Sequence, residues 1–161
     1  MSYFRKYILL FVVVTAGFFV HCEIDHGLGL MKSEIRGRVI LPDMSKRPDY
    51  VESVRVIATT KNLQDLQDGE LTLSDVLFTN TAIDLGKEKP VYDLSAPLGT
   101  YKLIAAVWKK RGKPWDYTRF FGFYGFDPET FKFDFSPVVL TEEQPVAKNI
   151  DIYCDWSFVS P

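Results

Sequence analysis

Three groups of residues in this chain have types and spacings that could do chemistry. Cys22 closes the apolar run "LLFVVVTAGFFVHC", where a thiol could carry a lipid or form half of a disulfide. The segment "PWDYTRFFGFYGFD" crowds Trp115, Tyr117, Phe120, Phe121, Phe123, Tyr124 and Phe126 around Gly122 and Gly125, with Arg119 among them. Flat rings of this kind stack on sugar faces or form the buried centre of a protein interface, where aromatic residues and Arg are enriched. Asp127, Glu129 and Asp134 could offer oxygens to a calcium ion, but their spacing matches no defined calcium loop and they read as solvated turn carboxylates, so no metal site is expected.

Most of the rings are expected to fold back and pad a sheet edge, because exported proteins avoid large exposed apolar patches. Trp115, Tyr117 and Arg119, nearest the charged turn "KKRGK", are the expected exceptions. The binding candidates are therefore Trp115, Tyr117, Arg119, Phe121 and Tyr124. No catalytic residue is expected. His21 belongs to the apolar leader and His26 to the short segment after it, and the chain lacks a Gly-x-Ser-x-Gly elbow, a paired-histidine metal motif and a phosphate-cradling glycine loop. A non-enzyme without a cofactor is the expectation.

The elements that must position these groups begin with the leader. Arg5 and Lys6 precede an apolar run from Tyr7 to Val20, long enough for the core of a signal peptide and short for a membrane-spanning helix. The run resembles a bacterial lipoprotein signal with Cys22 as the lipidation candidate, although Phe19, Val20 and His21 stand where a leucine and two small residues are expected. Ordinary cleavage after Ala16 or Cys22 is the alternative of equal weight, uncleaved anchoring is the third, and all stay open. Residues 1–22 are thus read as signal, 23–33 as tether and 34–161 as one domain. The expected location is periplasm, outer membrane or cell surface, with contact to a membrane only through the N-terminus. Without the leader the body carries 17 Lys+Arg against 21 Asp+Glu, about −4, which gives no electrostatic footprint for nucleic acid.

The body reads as β throughout, in keeping with its 13 Phe and 8 Tyr. Ile35, Val39 and Leu41 alternate with Arg36 and Arg38, and Val54, Val56 and Ala58 alternate with Arg55. Leu63 and Leu66 suggest a turn or short helix, followed by a strand at Leu71 and Leu73; another short strand is expected over residues 82–85. From Tyr101 to Trp108 the chain is apolar on both parities with only Lys102 charged, the pattern of a central strand covered on each side. In "FKFDF", Phe131, Phe133 and Phe135 are expected inward. Ile150, Ile152 and Cys154 share one parity, which points Cys154 into the core as a free thiol rather than into a disulfide with Cys22. Seven or eight such strands predict an all-β, Greek-key β-sandwich.

At "IRGRVILP", "SVRVIATT", "YDLSAPLGTYKLIAAV" and "PVVLTEEQPVAKNIDI" the chain resembles the carboxypeptidase regulatory-like domain, a β-sandwich related in shape to transthyretin. The stretch from Leu94 to Tyr101 is also similar to the tyrosine corner of fibronectin type III domains, whose tyrosine hydroxyl reaches back to the backbone. The resemblance implies a stabilising, docking or ligand-binding module without family-wide catalytic residues. The segment from Lys110 to Phe135 is longer than such a domain needs. An envelope protein is the first partner expected; a glycan held by the loop from Trp115 to Phe126 is the alternative.

Overall fold

The computed structural model describes residues 32–67 and 72–160. The leader, Cys22 and both histidines lie outside them. The described chain is all-β: β1 (Glu34–Ile40), β2 (Val51–Thr59), β3 (Val76–Phe78), β4 (Val91–Ser95), β5 (Gly99–Tyr101), β6 (Leu103–Lys110), β7 (Phe120–Tyr124), β8 (Phe126–Asp127), β9 (Lys132–Phe133), β10 (Val138–Leu140), β11 (Val146–Ala147) and β12 (Ile152–Cys154). One short helix, α1 (Leu63–Gln67), carries a reciprocal cap in which Asn62 Oδ1 accepts from Asp65 N–H and the Asp65 carboxylate from Asn62 N–H, both at 2.9 Å.

Eight strands form one large curled sheet. Along it, β1 pairs with β12, then β7, β6, β2 and β3 follow, while β4 flanks β1 on its other side and β11 pairs with the start of β1. β5 pairs with β10, and β8 with β9, as separate ribbons. The curl brings Ile35 and Val39 of β1 and Tyr92 and Leu94 of β4 into one core with Val54, Val56 and Ala58 of β2 and Ile104, Ala106 and Trp108 of β6. This is the sandwich-like packing that the alternation predicts.

Two close approaches hold the curl. β11 and β12 are one path along β1, interrupted at residues 148–151, where Asn149 takes a left-handed φ of 61°. The interruption drives the Ile150 backbone onto β1, where a Cβ at position 37 would overlap its carbonyl; only glycine fits there. The same carbonyl accepts from the buried Tyr92 hydroxyl at 2.7 Å, so it is not left unsatisfied. At the other end of the domain the Tyr101 hydroxyl donates to the Pro97 carbonyl at 2.7 Å, which is the tyrosine-corner geometry. Cys154 is a buried free thiol, its pKa pushed well up by burial and then by Asp155.

Three element readings need correction. Residues 82–85 form no strand; Ile83 makes a single hydrogen bond to the Val54 carbonyl, and the chain then turns. Of the strand expected at Leu71 and Leu73, Leu71 lies outside the described residues, while Leu73 opens a 3-10 turn, Leu73–Asp75, and the strand follows as β3. "FKFDF" is not a one-sided inward strand: Phe131 sits at φ 54°, only Lys132 and Phe133 are paired, and Phe131 and Phe133 are 54% and 44% exposed.

Candidate functional site

β6 is buried on both faces. Leu103, Ala105 and Val107 form the outer set, and they share a second core with Ile57, Val76, Phe123 and Phe126. The cover over this outer face comes from chain segments remote from one another: α1, the loop after β6, the β8–β9 ribbon and a 3-10 turn at Trp156–Phe158. Among the described residues the two-stranded β8–β9 ribbon is the sheet in this cover, and it is too short to seal the face. The cover is therefore made of single rings, and rings leave gaps.

A β-bulge decides which rings face outward. In the pairing of β6 with β7, Val107 opposes Phe120 but Ala106 opposes Gly122, so Phe121 is an extra residue. A bulge breaks the period-two alternation. Phe120 and Phe123 consequently join the outer cluster, while Phe121 turns inward to the core and stacks at 4.4 Å on Trp156. Tyr124 also packs against the inner core. Of the five binding candidates, Phe121 and Tyr124 thus belong to the inner side.

Trp115 and Tyr117 lie on the outer face but are laid down on it. The Arg55 guanidinium is 5.1 Å from the Trp115 ring and 5.4 Å from Phe78, and Tyr117 stacks on Phe78 at 5.6 Å. Each of these contacts covers one face of the ring, and both rings also border a shallow concavity with Pro114, Asp116 and Thr118. Arg119 goes elsewhere. Its guanidinium lies 5.3 Å over Trp108, its Nε pairs with Asp116 at 3.1 Å, and its Nη1 is buried with no hydrogen-bond partner among the described residues. Burial works against the Asp116 carboxylate, but Thr118, through its hydroxyl and N–H, and Arg119 outweigh it and hold its pKa below the ordinary value.

Arg119 opens onto an apolar concavity of the outer face. This groove of about 440 Å³ is walled by Phe120, Phe123, Phe133, Phe135, Phe158 and Leu63. Gly125, at φ 81°, turns the chain so that the β8–β9 ribbon folds over the sheet; a Cβ there would overlap the Asp134 carbonyl. Phe133 then stacks between Phe126 at 5.0 Å and Phe135 at 5.4 Å, and Phe123 meets Phe133, Phe135 and Phe158 edge-on. Asp155 caps the turn that delivers Phe158, accepting from Ser157 N–H at 2.7 Å. A second concavity of about 550 Å³, reaching Thr100 and Lys102, shares Leu63 and Phe135 with the first.

Of the three weighed carboxylates, Asp127 and Asp134 serve their own turns, and Glu129 contributes its backbone N–H to the first. Asp127 accepts from Glu129 N–H at 2.9 Å and Thr130 Oγ1 at 2.6 Å, hydrogen bonds that hold its pKa down, and Asp134 accepts from Ser136 Oγ. Among the described residues no three His, Cys, Asp or Glu side chains converge as metal ligands. Sequence reasoning passed over Leu63, Phe133, Phe135 and Phe158 as groove residues. Their signal lies in composition, since five of the walls are phenylalanine, but their convergence is a property of the folded chain. In comparisons with known proteins, no family model, no curated protein and no solved structure matches this chain.

Proposed function

We propose that this chain is a non-catalytic, exported docking module that binds an envelope protein through the phenylalanine groove. The observation that carries the reading is the groove itself: an apolar wall of ring carbons left open to solvent, with Phe133 44% exposed at its lip. Such a surface costs solubility and is kept where a partner covers it. Its chemistry suits protein better than sugar. A glycan brings many hydroxyls that need donors and acceptors, whereas Phe rings offer none, and Arg is the residue most at home beside aromatics in protein interfaces. Export and attachment at the envelope rest on the leader-like N-terminus, with lipidation of Cys22 as one route. The finer family reading, a carboxypeptidase regulatory-like domain, is consistent with the curled, sandwich-like sheet and with the Tyr101 corner.

The test is affinity purification of the full chain from its native envelope beside a Phe133→Ser, Phe135→Ser variant. An identified partner, repurified and titrated by calorimetry, should bind the variant at least about tenfold more weakly, as expected for loss of anchoring rings. Equal binding to both proteins would refute the groove as the docking site. Glycan-array binding that disappears on Trp115→Ala would favour the sugar-binding reading instead.

A further inference from the structure

The large sheet ends on an open edge. β4 pairs with β1 and, among the described residues, with no other strand. The register decides which of its backbone groups are left over. Ile150 N–H donates to the Arg36 carbonyl and Arg38 N–H to Asp151, so at Arg36 and Arg38 the β1 backbone faces β12. Ile35, Gly37 and Val39 therefore face β4, where they oppose Leu94, Tyr92 and Pro90. The same register runs on past the strand at both ends, from Leu41 N–H to the Glu88 carbonyl at 3.2 Å and from Ala96 N–H to the Ser33 carbonyl at 3.1 Å. Lys89, Val91, Asp93 and Ser95 accordingly turn their N–H and C=O groups away from β1, and no described residue pairs with those groups. Pro90 does not block the edge, because the N–H it lacks would point at β1. A free edge of this kind is a template for another strand.

The side chains along the edge select the strand it fits. Lys89, Val91 and Asp93 are exposed, Val91 at 76%, while Tyr92 and Leu94 turn the other way into the core. Arg36 holds Asp93 Oδ1 at 3.1 Å and also pairs with Glu34, so the charges alternate from Glu34 to the edge and end there on a carboxylate. Asp93 Oδ2 and the Lys89 ammonium have no ion-pair partner among the described residues. We infer that this edge takes a second copy of the chain, β4 against β4, antiparallel about a two-fold axis at Val91. Val91 then meets Val91, and Lys89 of each copy opposes Asp93 of the other. The neighbouring registers are worse. An axis at Asp93 sets two carboxylates face to face, and one at Lys89 two ammonium groups; an axis at Tyr92 puts Val91 opposite Asp93 and Lys89 opposite Ser95, which pairs no charges. Lysine on an edge ordinarily repels other strands, but here the same strand carries the carboxylate that answers it. The pairing is also closed, since each copy spends its β4 edge on the other. None of these residues lines the phenylalanine groove, so the dimer does not depend on what that groove binds.

The experiment is sedimentation equilibrium of the full chain in non-ionic detergent over a range of concentrations, wild type beside Lys89→Glu and Asp93→Lys. The wild type should show a monomer–dimer equilibrium. Each variant turns both ion pairs into like-charge contacts, so its dissociation constant should rise at least about tenfold. An equimolar mixture of the two variants should dimerise about as well as the wild type, because the charge reversed at position 89 of one then faces the charge reversed at position 93 of the other. Cross-linking reads the register directly. In a Cys22→Ser background, Val91→Cys should form a disulfide with its own copy on mild oxidation, since residues facing each other across hydrogen-bonded antiparallel strands lie about 5.5 Å apart, within disulfide reach. Asp93→Cys should not. Should Asp93→Lys disturb the fold through Arg36, the Val91→Cys cross-link keeps the test sharp. A wild type that stays monomeric, with no cross-link at Val91→Cys, would overturn the dimer. Dimers that both charge variants leave unchanged would place the association elsewhere and overturn it too, as would a cross-link stronger at Asp93→Cys than at Val91→Cys. Each of these failures leaves the docking reading of the groove standing.

Discussion

The two faces of β6 are filled in opposite ways. On the inner face, Ile104, Ala106 and Trp108 meet aliphatic side chains from β1, β2 and β12, all held by backbone ladders that fix where each methyl group lies. On the outer face, Leu103, Ala105 and Val107 meet rings delivered by a loop, a two-residue-per-strand ribbon, a one-turn helix and a C-terminal turn. Both faces remove apolar surface from water, but only the first does so against a regular sheet. A core built by sheet on sheet closes to crystal-like density; a cover of separately anchored rings closes over the strand and stays open between its own members. The difference assigns stability to the inner face, and the docking proposal places recognition on the outer one.

The largest effect expected from this contrast is at Phe121, which is fully buried and stacked on Trp156. Phe121→Ala should cost about 3–5 kcal/mol, the range for deleting a buried phenylalanine side chain, measured from the urea midpoint at constant slope. The contrast breaks if that cost is no larger than that of Phe133→Ala on the outer cover.

Next comes the pin at the curl. Tyr92→Phe removes the hydroxyl that satisfies the buried Ile150 carbonyl, so an acceptor is stranded where the last strand presses onto Gly37. A loss of about 1–3 kcal/mol is expected, and Tyr101→Phe, whose hydroxyl serves the part-buried Pro97 carbonyl, should cost less, about 1 kcal/mol. The reverse order would mean that the corner, not the interrupted strand, holds the two limbs of the sheet together.

A smaller effect with a pH signature lies beside that pin. Arg38 grips Asp151 through its side chain and backbone N–H, and these hydrogen bonds, against some cost of burial, hold the Asp151 pKa below its ordinary 3.8. The unfolded chain therefore takes up this proton first as pH falls. The pair's contribution is full above the unfolded value and is lost as pH drops through the folded one. Being partly exposed, it should amount to about 1 kcal/mol or less. Urea midpoints followed from about pH 6 to about pH 2 should fall more steeply for the wild type than for Asp151→Asn, and parallel curves would remove the pair from the account.

How far the sequence spoke to these two faces follows the same division. The inner face was legible because period-two alternation is its cause: Ile35 and Val39, Val54 and Val56, and Ile152 and Cys154 all lie inside as their parity requires. The double burial of β6 was legible too, since one lysine is the only charge between Tyr101 and Trp108. The tyrosine corner came from the resemblance of Leu94 to Tyr101 to fibronectin type III domains, and the Tyr101 hydroxyl does reach back to the Pro97 carbonyl. The outer face was not legible, for two physical reasons. The bulge at Phe121 shifts the parity of β7 without changing its composition, so "FFGFY" cannot reveal which rings face which way. The alternation of Phe131, Phe133 and Phe135 reports side chains on one side of a ribbon but not whether that side meets protein or water. Leu63, Arg119, Phe133 and Phe158 become neighbours only through long-range folding, which no local pattern encodes.

The smallest stability effect is expected at Phe133, and its smallness is the point. Its ring stacks on Phe126 and Phe135, yet nearly half of it faces solvent, so removing it exposes little that was dry. Phe133→Ser should change stability by no more than about 1 kcal/mol, the worth of the ring stacking itself. The same substitution should remove much of any fluorescence enhancement that the apolar dye ANS shows with the full chain, because the dye seeks open apolar walls and the groove is where this molecule offers them. Phe121→Ala, measured where its folded state still predominates, should leave the dye signal near that of the wild type. The separation of the two readouts at Phe133 is what distinguishes a surface open for binding, as the docking proposal requires, from a ring that packs as part of the fold.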